Sequence, residues 1–124
     1  MLQLFCNAYL NLIRFGYYVS RGNFAALYER VREYPVASRV TAPHVVQHVC
    51  FAVDLACIWY RKEVLCLQRS AATACLLRKH GVNAKLVIGA QQMPARGHAW
   101  VEVDGRVVND KPYMTEIYAV LDRC

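Results

Sequence analysis

Apolar and polar positions along the chain follow two different periods. Leu2, Phe5, Tyr9, Leu12 and Ile13 recur at helical spacing and predict an amphipathic helix over residues 1–19, with Arg14 and Gly16 interrupting it. This helix is expected to pack on the domain or on a partner. A membrane-surface helix is the alternative, but the polar face lacks the Lys/Arg enrichment of interfacial helices. Asn23 can cap a second helix with Phe24, Leu27, Tyr28 and Val31 on one face, and Pro35 ends it. The segment VASRVTAP, residues 36–43, has the turn chemistry of a linker and is too short for a domain boundary.

A third stripe, Val46, Val49, Cys50, Val53, Cys57 and Tyr60, predicts a helix from His44 to Lys62 with one buried face. Leu67, Ala71, Ala74 and Leu77 give a fourth, from near Cys66 to His80. Arg78, Lys79 and His80 suit its negative end, and Gly81 suits the position after it. The start of this helix is unmarked. No Ser, Thr, Asp or Asn cap stands just before Cys66, and no Gly or Pro lies between Lys62 and Cys66, so propensity also allows one helix from His44 to His80.

Beyond Gly81 the period becomes two. Ala84–Ala90 (AKLVIGA) reads as a strand, QQMPARG at 91–97 as a loop, and His98–Val103 as a second strand. In that strand Ala99, Val101 and Val103 share one face, and His98, Trp100 and Glu102 the other. A third strand, Arg106–Asp110, follows Asp104-Gly105, and Ile117, Val120 and Leu121 suggest a last strand or a docking turn. The order predicts an α+β fold, with N-terminal helices followed by a small antiparallel sheet packed on the Cys66 helix. The 124 residues are expected to form a single domain, residues 1–62 its helical N-terminal region and 63–124 its core.

Composition narrows the function classes. Apolar residues make up 56 % of the chain and charged residues 19 %, which implies a dense core or an apolar face kept for a partner. The net charge of +6 favours acidic partners, yet the charges are scattered and no nucleic-acid motif is present. No run approaches the roughly 18 uninterrupted apolar residues of a membrane span. The N-terminus has no basic region or cleavage site of a signal peptide. Six cysteines occur without a CxxC pair, and four lie in apolar helical patterns, so a reducing, cytoplasmic setting is expected rather than a disulfide framework. His44 and His48, with Cys50 beyond them, have the spacing for a metal on one helix face, but no further ligands are evident, and no metal or cofactor is expected.

Cys66, His98 and Asp110 are the candidates for chemistry. A cysteine at a helix N-terminus beside an imidazole has the setting that makes a thiolate nucleophile, and a histidine at a strand end beside a loop can serve as its base. A structural cysteine and a surface histidine are the alternatives. Orientation of His98 depends on the hairpin. If Asp104-Gly105 is a two-residue turn, Val103 pairs with Arg106 and Trp100 with Asn109, and Asp110 faces away from His98. A three-residue loop with a bulge at Gly105 pairs Glu102 with Arg106 and sets Asp110 opposite His98. In the first register Asn109 takes the facing position, and a Cys-His-Asn triad is also workable.

The words CLQRS, LLRKHGVNAKLVIG and HAWVEVDGRVVND stand in the order found in the lasso peptide biosynthesis leader peptidases, which the segment Cys66–Asp110 resembles closely. AVLDR in the tail fits as well, whereas the first 60 residues match only in character. The resemblance implies a transglutaminase-like, papain-like core with Cys66 as nucleophile, His98 as base and Asp110 as orienting acid. It implies a cytoplasmic bacterial cysteine peptidase that removes the leader of a ribosomally made precursor peptide, after which a separate lasso cyclase closes the ring. A separate leader-recognition protein is the expected partner, and the N-terminal helices are its candidate docking face. Acyl transfer to an amine and a non-catalytic leader-binding scaffold are the alternatives. Arg69 receives no role from this pattern, and Gln68, on the same helix, is not assigned as an oxyanion donor; the backbone N–H of Cys66 is the candidate.

Overall fold

The computed structural model describes residues 2–39 and 44–124, so part of the expected linker, residues 40–43, lies outside the described residues. Four helices come first: α1 (Leu2–Ser20), α2 (Phe24–Glu33), α3 (Val45–Trp59) and α4 (Cys66–Lys79). β1 (Ala84–Gln92), β2 (Ala95–Val103) and β3 (Arg106–Val107) follow, then the short α5 (Met114–Ile117) and β4 (Ala119–Arg123). The strands form one antiparallel sheet in the order β3-β2-β1-β4. The fold is α+β, with α4 between the sheet and the other helices. Among the described residues no helix is long and apolar enough to cross a membrane.

α1 runs unbroken through Arg14 and Gly16. Gly16 marks a close approach: a Cβ there would lie 2.7 Å from Gln68 Nε2 and 2.8 Å from the Tyr60 hydroxyl. Gln68 Nε2 donates to the Leu12 carbonyl at 2.8 Å, tying α1 to α4. Asn23 caps α2 as expected, its Oδ1 accepting the Ala26 N–H at 3.2 Å.

The continuous helix from His44 to His80 does not form. Tyr60 and Leu65 both adopt extended backbone, and α4 begins at Cys66. No local breaker causes this, and the reason is tertiary: the Tyr60 ring packs on Tyr9 at 5.6 Å while Gln68, in the first turn of α4, bonds α1. Packing overrides propensity. α4 is buried all round from Ser70 to Arg78, and Ala71, Ala72 and Ala74 let the sheet and the helices approach it closely. Its C-terminus is a Schellman turn, with Val82 N–H on the Leu77 carbonyl at 3.0 Å, Gly81 N–H on that of Arg78 at 3.1 Å, and Gly81 at φ 88°. Arg78 does more than face the helix dipole. Its buried guanidinium donates to the carbonyls of Val31, Tyr34, Ala84 and Cys124, joining α2, β1 and the residue after β4.

The expected loop at 91–97 is strand. β1 and β2 pair from Ala84↔Val103 to Gln92↔Ala95, leaving only Met93-Pro94 as the turn, where proline's missing N–H removes no ladder bond. At the other end Val103 pairs with Arg106, so Asp104-Gly105 is the two-residue turn, with both residues at positive φ as a type I′ turn requires. β3 stops at Val107 rather than reaching Asp110. The tail gives α5 and then β4, which pairs with β1 through an irregularity at Ile88/Gly89. One face of the sheet (Leu86, Ala99, Val101) packs on the helical core, and the other (Val87, Trp100) is covered by Met114 and Tyr118.

Candidate active site

Cys66 is the first residue of α4, half-buried, and its N-cap Leu65 offers no side-chain acceptor. The missing cap leaves the first-turn N–H groups and the positive end of the helix dipole at the thiol. Cys66 and Leu67 line a cavity of about 250 Å³ with Phe24 and Tyr28 of α2, Ile88 of β1, and the 97–99 segment of β2, which includes His98. The cavity wall is mostly apolar. A larger cavity of about 480 Å³ lies between α1 and the 60–68 segment and contains none of Cys66, His98 and Asp110.

His98 is held on two sides. Nε2 lies 2.6 Å from Asp110 Oδ2, and the ring stacks on Tyr118 with centroids 5.1 Å apart. Trp100 packs at 6.0 Å from both rings. Burial by itself would push the Asp110 carboxyl up. The hydrogen bonds from His98 and the Lys111 N–H, with the positive fields of His98 and Arg69, outweigh it and hold the group below its ordinary value. Cys66 and His98 share the cavity, but no hydrogen bond links them among the described residues. Catalytic contacts of this kind commonly tighten only when substrate binds.

Asp110 reaches His98 despite the turn that should point it away. The two-residue turn is the one formed, but the chain leaves the ladder after Val107 and Asn109 does not face His98. Asn109 Oδ1 instead accepts the Val101 N–H at 2.7 Å, and Asn109 Nδ2 donates to Ser70 Oγ at 3.0 Å. Arg69, to which the sequence assigned nothing, donates to the Asn109 carbonyl at 2.9 Å and to Asp54 Oδ1 at 3.1 Å. Gln68 points to α1 and away from any oxyanion role. Tyr118 was missed as well. Its place beside His98 follows from the pairing of β4 with β1, for which the tail carries no local signal.

All six cysteines are free thiols. Burial pushes Cys50 up to about 11 and Cys75 up to about 12, and raises Cys57 and Cys124 as well. His44 and His48 stand with ring centroids 6.3 Å apart, and among the described residues no group of three or more His, Cys, Asp or Glu is placed to hold a metal.

The family model described as the transglutaminase-like superfamily matches residues 10–123. The chain belongs to that superfamily. The match runs from Leu10, within α1, to Arg123 at the end of β4. Over 56 residues the chain is 41 % identical to the microcin J25-processing protein McjB of Escherichia coli. That stretch is 45 % of this chain and only 27 % of the relative's length. No solved structure matches the chain.

Proposed function

We propose that this transglutaminase-like chain is a cysteine peptidase that removes the leader from a lasso peptide precursor in the cytoplasm, acting with a separate leader-recognition protein. The observation that carries the reading is the 2.6 Å bond between His98 Nε2 and Asp110 Oδ2, on a histidine that lines the same cavity as Cys66. Similarity to a protein named for processing microcin J25 supports the substrate class.

In this reading Asp110 engages Nε2, so Nδ1 is the nitrogen that takes the Cys66 proton. The sulfur attacks the carbonyl carbon at the leader–core junction, and the developing oxyanion takes the Cys66 N–H at the helix N-terminus. The adduct collapses as the C–N bond breaks. The core leaves as an amine carrying the proton from the imidazolium, and the leader stays on sulfur as a thioester. Water gives a proton to Nδ1 and attacks that thioester; the C–S bond breaks, the leader departs as an acid, and the thiol is restored. Phe24, Tyr28, Leu67 and Ile88 make the cavity wall apolar, which suits an uncharged residue beside the scissile bond. The freed core amine is then available to a lasso cyclase.

The test is incubation with a precursor peptide and the recognition protein, read by mass spectrometry. Two peptides, one leader and one core, are expected, with no product from Cys66→Ala or His98→Ala. A joined adduct would move the chemistry to acyl transfer. Full cleavage by Cys66→Ala would sink the reading.

A further inference from the structure

We infer that Arg69 and Asn109 are positioning residues for the His98–Asp110 couple, correcting a register that the hairpin turn would otherwise set wrongly. The inference rests on the reading of that couple as catalytic.

With Val103 paired to Arg106 and Glu102 to Val107, a regular ladder would continue to Ala99 opposite Asp110. The carboxylate would then share the face of Ala99 and Val101, against α4, and Lys111 would stand across from His98. Neither happens. Val108 N–H still donates to the Val101 carbonyl at 3.0 Å, but Val101 N–H gives its bond to Asn109 Oδ1 at 2.7 Å. The Val108 carbonyl, displaced from the ladder, accepts the Cys50 thiol at 3.5 Å. One side-chain amide stands in for a backbone carbonyl. The main chain is thereby shifted, and Asp110 swings across to His98.

Such a substitution holds only if the amide is fixed, and α4 fixes it. Ser70 Oγ accepts from Asn109 Nδ2 at 3.0 Å and donates its own O–H to the Ala99 carbonyl at 3.1 Å. Arg69 Nη2 holds the Asn109 carbonyl at 2.9 Å while Nη1 is anchored on Asp54 of α3 at 3.1 Å. The same guanidinium lies 4.0 Å from Asp110 Oδ2, so it also favours the charged carboxylate. Arg69 sits one turn after Cys66 on α4. The helix that carries the nucleophile therefore also sets the segment that carries the orienting acid, and the two are held in one frame. Neither Arg69 nor Asn109 touches the reacting atoms.

The test reads two quantities that need no peptide partner. One is the rate of Cys66 alkylation by iodoacetamide at neutral pH, followed on the Cys66 peptide by mass spectrometry. The other is the far-downfield proton NMR signal of His98 Nε2–H in its bond to Asp110. Asn109→Ala and Arg69→Gln are expected to slow alkylation by about 10- to 100-fold, the scale of a small misplacement, and to abolish the signal while the far-UV circular dichroism is unchanged. Arg69→Lys keeps the charge but cannot bridge Asp54 and the Asn109 carbonyl, and should fall between. If Asn109→Ala does not fold, Asn109→Asp, which keeps the acceptor for Val101 N–H and loses the donor to Ser70, decides with Arg69→Lys. Folded variants that keep the parent rate and signal overturn the inference alone. A parent protein whose Cys66 reacts no faster than in Asp110→Ala overturns the catalytic reading, and this inference with it.

Discussion

Gly89 stands directly across the β1–β2 ladder from His98, and the space over its α-carbon is filled by the Trp100 ring and Tyr118. A Cβ at this position would lie 2.7 Å from Trp100 Cη2 and 2.9 Å from Tyr118 Cβ. The glycine lets two aromatic side chains lie close on the sheet, and one of them is the ring on which His98 stacks. Gly89→Ala is therefore expected to destabilise the fold by about 1–3 kcal/mol through overpacking. It should also slow Cys66 alkylation, because Tyr118 must move. Urea unfolding measures the first effect and the alkylation rate the second; a variant unchanged in both would show that the aromatic pair adjusts freely.

The bond from Asp110 to His98 predicts a tautomer effect. Asp110→Asn keeps the shape but can donate from its amide to Nε2, which leaves the proton on Nδ1, the nitrogen assigned to the thiol. Cleavage should fall on the order of 10²- to 10⁴-fold with the fold intact, as expected when the orienting acid of a triad is neutralised. Acid stability gives a second readout. The Asp110 carboxyl is held below its ordinary value. The stability it contributes is therefore complete above the unfolded value of about 4 and is lost as pH falls through the lower folded value. The gap in urea midpoint between parent and Asp110→Asn should shrink as pH falls from about 5 to about 3. A gap that widened over that interval would contradict this assignment.

Much of this was legible in the sequence, and what was not has a common cause. The helical stripes and the alternation of Ala99 and Val101 against His98 and Trp100 are one-dimensional patterns, and each folds as its period dictates. The hairpin was different. Both registers were visible, but Asp110 reaches His98 by a third route that depends on Asn109 meeting Arg69 and Ser70, 40 and 39 residues away along the chain. The break at Tyr60–Leu65 has no Gly, Pro or cap and follows from contacts with α1. Gly16 looked like an interruption of α1, and it is a contact point for Gln68 and Tyr60.

Arg78 predicts the largest loss of stability outside the candidate site. Its guanidinium is the shared donor for four carbonyls, those of Val31 in α2, Tyr34 just after it, Ala84 in β1 and Cys124 just after β4. Arg78→Met would fill much of the volume and leave those acceptors without their donor, at roughly 1–3 kcal/mol for each one that water cannot reach. A total of about 3–5 kcal/mol is expected, from urea unfolding. Arg78→Lys should recover little, because a single ammonium cannot span acceptors placed for a planar fork. A loss below about 1 kcal/mol for Arg78→Met would mean that these carbonyls are hydrated.

The thiols separate access from activation. Cys6 is exposed on α1 whereas Cys66 is half-buried, so on access alone iodoacetamide should modify Cys6 first. If His98 and the α4 N-terminus activate Cys66, the order reverses, and His98→Ala restores it. Cys75 and Cys50 supply the internal control. With their thiols pushed up to about 12 and about 11, they ionise only slightly near neutrality, and Cys50 is further engaged with the Val108 carbonyl. Both should stay unlabelled in the folded protein at pH 7.5 and react once urea opens the core. Peptide mapping over time gives all four rates in one experiment. Native labelling of Cys75 at a rate near that of Cys66 would show that the core opens on the timescale of the reaction, and the order of Cys6 and Cys66 would then say nothing about activation.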